Sequence, residues 1–210
     1  MQKRKPFNIV LLTQGNEFLY SIFKAVKKVI KIVPYRFFEQ TLTDEMSLNV
    51  TPHIRPVEIC LLESADMKSL ASHPEVIESE QELLERFGNE SVCIGLLHNE
   101  RLAAYTWCEL THCRYFPAHD LVLKRDEAYI YDARTFEAYR GKNIGPFLRY
   151  QLYRALRQIG RTKIYSYSVA VNPSAVNYTK KLGAKATRLY LGIILLGRYQ
   201  FKVLLKKFAI

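Results

Sequence analysis

Cysteine is scarce and unpatterned in this chain of 210 residues: Cys60, Cys93, Cys108 and Cys113 lie apart, with no Cys-x-x-Cys spacing. Such thiols read as small buried side chains in a reducing compartment. His98, His112 and His119 show no ligand rhythm, so no metal is expected. Long apolar runs are missing too. The longest uncharged one, Leu189 to Gly197, falls far short of the roughly 20 residues a membrane-spanning helix needs. Lys3-Arg4-Lys5 precedes Phe7 to Leu12, but that run is too short for a secretion signal and has no small-residue cleavage site. A soluble, cytoplasmic protein is expected. There is no internal repeat and no low-complexity tract.

Acid is missing from both ends. Residues 1–31 carry Glu17 alone against several lysines and arginines, and residues 180–210 carry basic residues and no acid. With 31 basic against 20 acidic side chains, the formal charge is +11. Such ends attract phosphates, anionic lipid or nucleic acid, and charge alone does not choose among them. No aromatic-basic recognition motif accompanies the charge, so nucleic acid is the weakest of these partners.

What is present suits one compact domain: 49% of the residues are hydrophobic. Glu17 to Val33 reads as an amphipathic helix with Tyr20, Phe23, Val26, Ile30 and Val33 on its apolar stripe. It reads either as packed on a sheet or as a docking element for an anionic membrane or a partner. Tyr35 to Leu42 reads as a strand, and residues 45–57 as a linker. These suggest an N-terminal extension over 1–52 and a main domain over 53–210. In the main domain, Val57 to Leu62 is a short apolar run, and helices are expected across 65–73 and 76–87. Ser91–Leu97 and Leu102–Thr111 form a hairpin around His98-Asn99-Glu100-Arg101. Glu127–Phe136 is a strand, and Gly145–Ile159 is a helix presenting Leu148, Leu152, Ala155, Leu156 and Ile159. Lys163–Val171 is the next strand, and Thr187–Leu196 with Tyr199–Phe208 forms a final antiparallel pair turning at Gly197-Arg198. The whole reads as α/β.

The densest signal is Tyr139-Arg140-Gly141-Lys142-Asn143-Ile144-Gly145-Pro146, between a strand and a helix. A tight turn opening a helix aims several N–H groups at one point, and the helix dipole adds positive charge there. Gly141 and Gly145 admit a ligand close to the backbone, Arg140 and Lys142 add mobile charge, and Pro146 fits the first helical turn. A second segment runs from Asn172, an N-cap, through Pro173 to Gly183, a left-handed stop.

On these residues the chain resembles the GNAT superfamily of acyl-CoA N-acyltransferases, from about His53 to the C-terminus and most specifically from Glu127 to Gly183. The family signature Arg/Gln-x-x-Gly-x-Gly/Ala is met by Arg140-x-x-Asn143-x-Gly145, followed by Asn172, Ala175 and Gly183 in register. Asn143 stands at the usual central glycine, a position where Asn tolerates left-handed backbone. Thr179 stands at the usual tyrosine, with Tyr178 one residue early, and Ala184 at the usual aromatic. The resemblance implies a GNAT-like fold: a mixed, mostly antiparallel sheet flanked by helices, with a splay between its central strands that admits the pantetheine arm. It implies acetyl-CoA as acyl-donor cosubstrate, held by Ala133, Arg134 and Thr135 on the strand, by Arg140, Gly141, Lys142, Asn143, Ile144 and Gly145 at the turn, and by Asn172.

Acyl transfer needs a polarised thioester carbonyl, a deprotonated amine, positioning, and a proton for the leaving thiolate. Tyr178 is the candidate acid, though the one-residue offset turns it about 100° around the helix and a packing role is open. Asp132, mid-strand, is the candidate base or amine-binding group, with a salt bridge to Arg134 equally open. Glu127 is a weaker base, and Tyr131 and Tyr167 are candidates to line the acceptor site. The expected activity is acetyl transfer from acetyl-CoA to a primary amine by direct attack in a ternary complex. A small acceptor such as an amino sugar is favoured, and the positive surface favours an anionic one. A protein or peptide amine, or a non-catalytic binding module, remains open.

Overall fold

A computed structural model describes residues 29–43, 50–88 and 91–209. Strand β1 runs Ile30–Thr41 and β2 Val57–Leu62, followed by helices α1 (Met67–Ala71) and α2 (Glu80–Gly88). Strands β3 (Val92–His98) and β4 (Arg101–Glu109) form a hairpin whose two turn residues, Asn99 and Glu100, both have positive φ. That backbone matches the twist of its strands. β5 (Glu127–Thr135), α3 (Ile144–Gln158), β6 (Lys163–Val169), α4 (Pro173–Lys181), β7 (Lys185–Leu195) and β8 (Tyr199–Lys207) complete the chain. No helix among the described residues is long and apolar enough to cross a membrane.

The strands form one open sheet in the order β2-β3-β4-β5-β6-β1-β7-β8. β1, which belongs to the first 52 residues, lies between β6 and β7 and is antiparallel to both. The sequence reading extends a helix to Val33. Its residues 17–28 fall outside the described ones, and Ile30 to Val33 is strand: Ile30, Ile32 and Val33 are β-branched and pair with Leu195, Ile193 and Gly192. The expected helices 65–73 and 76–87 are shorter, separated by an irregular loop over 72–79.

β5 and β6 are parallel, and their ladder ends after three pairs, the last being Tyr129 with Tyr165. Beyond it β5 stays with β4 as far as Thr135, and β6 stays with β1 as far as Val169. The two strands therefore part in the middle of the sheet.

Alternation along the strands sends their side chains into two layers. On one face Tyr105, Trp107 and Cys93 pack with Met67, Leu70 and Leu83 of the first two helices. On the other, Cys108, Ala128, Ile130 and Ile164 pack with Leu152, Tyr153 and Leu156 of α3. Leu148, Leu152 and Leu156 are buried as the periodicity predicts, but Ala155 and Ile159 face solvent, and Arg149 and Tyr153 take the inner positions. The helix's phase is set by Ile144, which enters the core beside Ala103 and Leu96. This phase predicts that Leu156→Ala costs about 2–5 kcal/mol in chemical denaturation, whereas Ile159→Ala stays within about 0.5 kcal/mol.

Candidate active site

The parting of β5 and β6 is accompanied by a bulge. Trp107 pairs with Tyr131 and Tyr105 with Arg134, so β5 carries an extra residue there. Asp132, at φ 44°, stands in that gap. Thr135 then pairs with Ala104, and Phe136 N–H donates to Ala103 O at 3.0 Å. By alternation Arg134 shares that edge, and the N–H groups of Ala133 and Thr135 turn to the open side left by β6. Ala133 is exposed although it sits mid-sheet.

At the end of β5 the chain turns into α3. Asn143 holds the left-handed conformation, φ 60°, and its Nδ2 donates to Thr51 O at 2.6 Å. The asparagine thus tolerates the backbone of the usual glycine and ties down the segment before β2. Its side chain makes no capping bond to α3, so the first-turn N–H groups of the helix, which have no intrahelical acceptors, remain donors beside the positive end of the dipole. Gly145 is tightly enclosed: a Cβ there would lie 2.8 Å from Thr135 Oγ1 and 3.7 Å from the Tyr178 ring.

The two basic side chains of the turn are engaged. Arg140 Nη2 meets Glu75 Oε2 at 2.5 Å and its Nε donates to Thr135 O at 3.1 Å. Glu75 also accepts from Glu137 N–H at 2.8 Å. Lys142 Nζ donates to Ala138 O at 2.8 Å and lies over the Tyr139 ring.

Across the opening, Asn172 Oδ1 accepts from Ala175 N–H at 3.2 Å and caps α4, with Pro173 at the first helical position. Tyr178 donates to Gly145 O at 3.2 Å, joining α4 to the first turn of α3. Burial pushes its phenol above the ordinary tyrosine value, with Arg149 opposing. Thr179 is buried and donates to Ala175 O at 2.8 Å. Ala184 packs against Phe38 of β1. The aromatic ring missing from position 184 is supplied by another strand.

On the opposite face, Asp132 meets Arg86 Nη1 at 2.6 Å and Arg134 Nη2 at 3.8 Å, with Glu78 3.4 Å from Arg86. Both its oxygens are thus occupied by guanidinium groups, Arg134 among them. Glu127 accepts from Tyr165 at 2.7 Å and from Lys124 N–H at 3.0 Å, at the closed end of the β5–β6 ladder. Another carboxylate, given no role by the sequence reading, is better placed. Glu109, at the end of β4, is 1% exposed and accepts from Ser91 Oγ at 2.5 Å and Tyr131 OH at 2.9 Å. Burial pushes its pKa above the usual carboxylate range, while the Ser91 and Tyr131 hydrogen bonds pull the other way. The one sequence signal for it was an acid closing the apolar run Leu102–Cys108. Tyr131 lies two residues beyond the last β5–β6 pair, and its hydroxyl reaches inward to Glu109. Rings from Phe37, Tyr129 and Tyr167 continue this face, with centroids 4.8 and 6.3 Å from Tyr167 to the other two. Among the described residues no group of three or more His, Cys, Asp or Glu is placed to hold a metal ion.

Comparison with known proteins agrees with this fold. A protein of the GNAT family from Novosphingobium aromaticivorans DSM 12444 superposes with a TM-score of 0.53 at 20% identity, over 79% of this chain and 64% of that one. A tandem GNAT protein from the clavulanic acid biosynthesis pathway gives 0.59 at 12% identity, over 88% and 58%. An N-acetyltransferase-like protein from Streptococcus suis 89/1591 gives 0.56 at 13% identity, over 86% and 68%. At these identities the likeness is one of fold, and the chain spans less than two thirds of the length of the first two. No curated protein matches the sequence. A model of the acetyltransferase (GNAT) family matches residues 58–184, more than half of the sequence, and the chain belongs to that family.

Proposed function

We propose that the protein is an N-acetyltransferase that moves the acetyl group of acetyl-CoA to a primary amine by direct attack within a ternary complex. The observation that carries this reading is the parting of β5 and β6 beyond Tyr129 and Tyr165, with the uncapped start of α3 at its mouth. The donor's pyrophosphate docks on the N–H groups from Gly141 to Gly145, and Arg140 exchanges Glu75 for a phosphate oxygen. The pantetheine arm follows the open edge of β5, where the N–H groups of Ala133 and Thr135 bond its amides or the thioester oxygen.

The amine approaches from the tyrosine-lined face. Its nitrogen attacks the thioester carbon, and the negative charge on the carbonyl oxygen is met by the β5 N–H donors. The amine proton passes by way of water and the Tyr131 hydroxyl to Glu109, a carboxylate whose burial makes it a stronger base than one in water. Glu109 takes this role in preference to Asp132, whose oxygens are bound to arginines. The carbon–sulfur bond then breaks, and the thiolate takes a proton from Tyr178, which must release Gly145 O to give it. A small acceptor fits this reading best, an amino sugar among the candidates.

Calorimetric titration with acetyl-CoA tests the donor site. Saturable binding is expected, and Gly145→Glu should abolish it, because the side chain enters the space beside Thr135 and sets a carboxylate where phosphate charge belongs. An unchanged melting temperature in that variant excludes unfolding as the cause, and unchanged binding would remove the site. Glu109→Gln should lower kcat by about 10²-fold or more. The rate of the parent protein should rise with pH through a group above about 4.3, since a base works only when deprotonated, and this limb should vanish in the variant. Tyr178→Phe should lower kcat by about 10²-fold and leave the affinity for acetyl-CoA within about threefold. A loss confined to thermal stability would reduce Tyr178 to a tie between helices.

A further inference from the structure

The tyrosine-lined face ends at a lysine whose surroundings are those of an anion site. Lys202, on β8, stands opposite Gly192 of β7. A Cβ on Gly192 would lie 2.6 Å from the Tyr35 ring and 2.8 Å from Phe116, so this bare position is what lets those rings lie against the sheet here. The Lys202 ammonium lies toward the centre of the sheet, over Tyr167 and Tyr190. It lies 5.7 Å from the centroid of Tyr167 and 5.4 Å from that of Tyr190. Tyr167 is the first residue on its face of β6 beyond the last pair with β5, and its ring touches those of Phe37, Tyr129 and Tyr190. Ring contacts therefore run from the opening to the ammonium, with Phe37 and Tyr129 buried beneath and Tyr131, Tyr167 and Tyr190 partly exposed.

The side chain of Lys202 is 16% exposed, so its charge requires a partner. It donates to Pro117 O at 3.0 Å and pairs with Asp120. Asp120, from the loop between β4 and β5, is 56% exposed. The cation is thus fixed and sheltered while its counter-ion is a surface carboxylate on a loop, held by the lysine and free to hydrate. A ligand anion needs to displace only that carboxylate.

Resting on the transferase reading above, we infer that Lys202 is the specificity determinant for the acceptor: the substrate is an amine carrying a phosphate or carboxylate. Its amino group sits at the opening beside Tyr131, its body lies on the partly buried rings of Tyr167 and Tyr190, and its anionic group replaces Asp120 on Lys202. The rings contribute stacking and apolar contact to a flat or sugar-like body. The sheltered ammonium supplies a charge-assisted hydrogen bond that an uncharged analogue cannot use. Asp120 stands where that anionic group would bind.

Binding to the full chain without acetyl-CoA tests this, with glucosamine, glucosamine 6-phosphate and glucosaminic acid as calorimetric probes. The two anionic amines should bind about tenfold tighter than glucosamine. Lys202→Gln should erase that preference, and Lys202→Arg should keep most of it. Asp120→Asn should act in the opposite direction and tighten the anionic probes by a few-fold, because the competing carboxylate is gone while the cation remains. Equal binding of the three probes, a preference that survives Lys202→Gln, or an anionic probe weakened by Asp120→Asn would each overturn the assignment. The Asp120 arm stands even where Lys202→Gln fails to fold. Titration of the same proteins with acetyl-CoA separates the two readings. Lost donor binding in the parent chain sinks the transferase and leaves the amine preference to be judged on its own, whereas intact donor binding with no preference sinks this inference alone.

Discussion

Everything in the active face depends on how β5 and β6 each keep one full ladder while giving up the other. β6 pairs with β1 along its whole length, and β5 pairs with β4 to its last residue. The parallel contact between them can therefore end at Tyr129 and Tyr165 without either strand losing its place in the sheet. The groups left over are backbone N–H and C=O in the interior of a sheet, which must find water or a ligand because unpaired buried polar groups are costly. An extended arm with amides of its own is the natural occupant. The bulge at Asp132 adjusts the register so that Tyr131 and Arg134 both face the α1–α2 layer while Thr135 faces α3.

The charges follow the same division. On the α3 side lie the cations and helix N–H groups proposed for a donor's phosphates, and Glu75 already holds Arg140 and Glu137 N–H as a phosphate would. On the tyrosine side, Arg86 and Arg134 neutralise Asp132 and Glu78, so the one carboxylate near the opening without a salt bridge among the described residues is Glu109, with Arg114 and Arg86 acting on it only at longer range. Burial without a salt bridge is what raises its pKa.

The departures from the family pattern have local explanations. Asn143 supports a positive φ, as sequence reasoning allows, and gains a hydrogen bond to Thr51 that glycine would lack. Ala184 is small because Phe38 reaches the same space from β1. The tyrosine offset is less neutral: it turns Tyr178 onto Gly145 O, while Thr179, in register, is spent on the carbonyl of Ala175.

By itself the sequence determined the features whose causes lie within a turn or two of chain. The Asn172 cap, the Pro173 start, the hairpin around Asn99 and Glu100, and the turn into α3 are each dictated by side chains that bond, or backbone angles that fit, locally. The tertiary structure decided what depends on residues far apart. Periodicity near Ile30 suits either a helix or a strand, and pairing with β7 chose the strand. The same pattern placed Ile159 on the core face, and the docking of Ile144 turned it outward. Glu109 becomes a candidate base only when Ser91 and Tyr131 converge on it. Lys202 becomes a sheltered cation only when β8 is set against Gly192 and the loop carrying Asp120 closes over it. Neither site has a local signature, because what defines each is desolvation, and desolvation is set by which distant strands become neighbours.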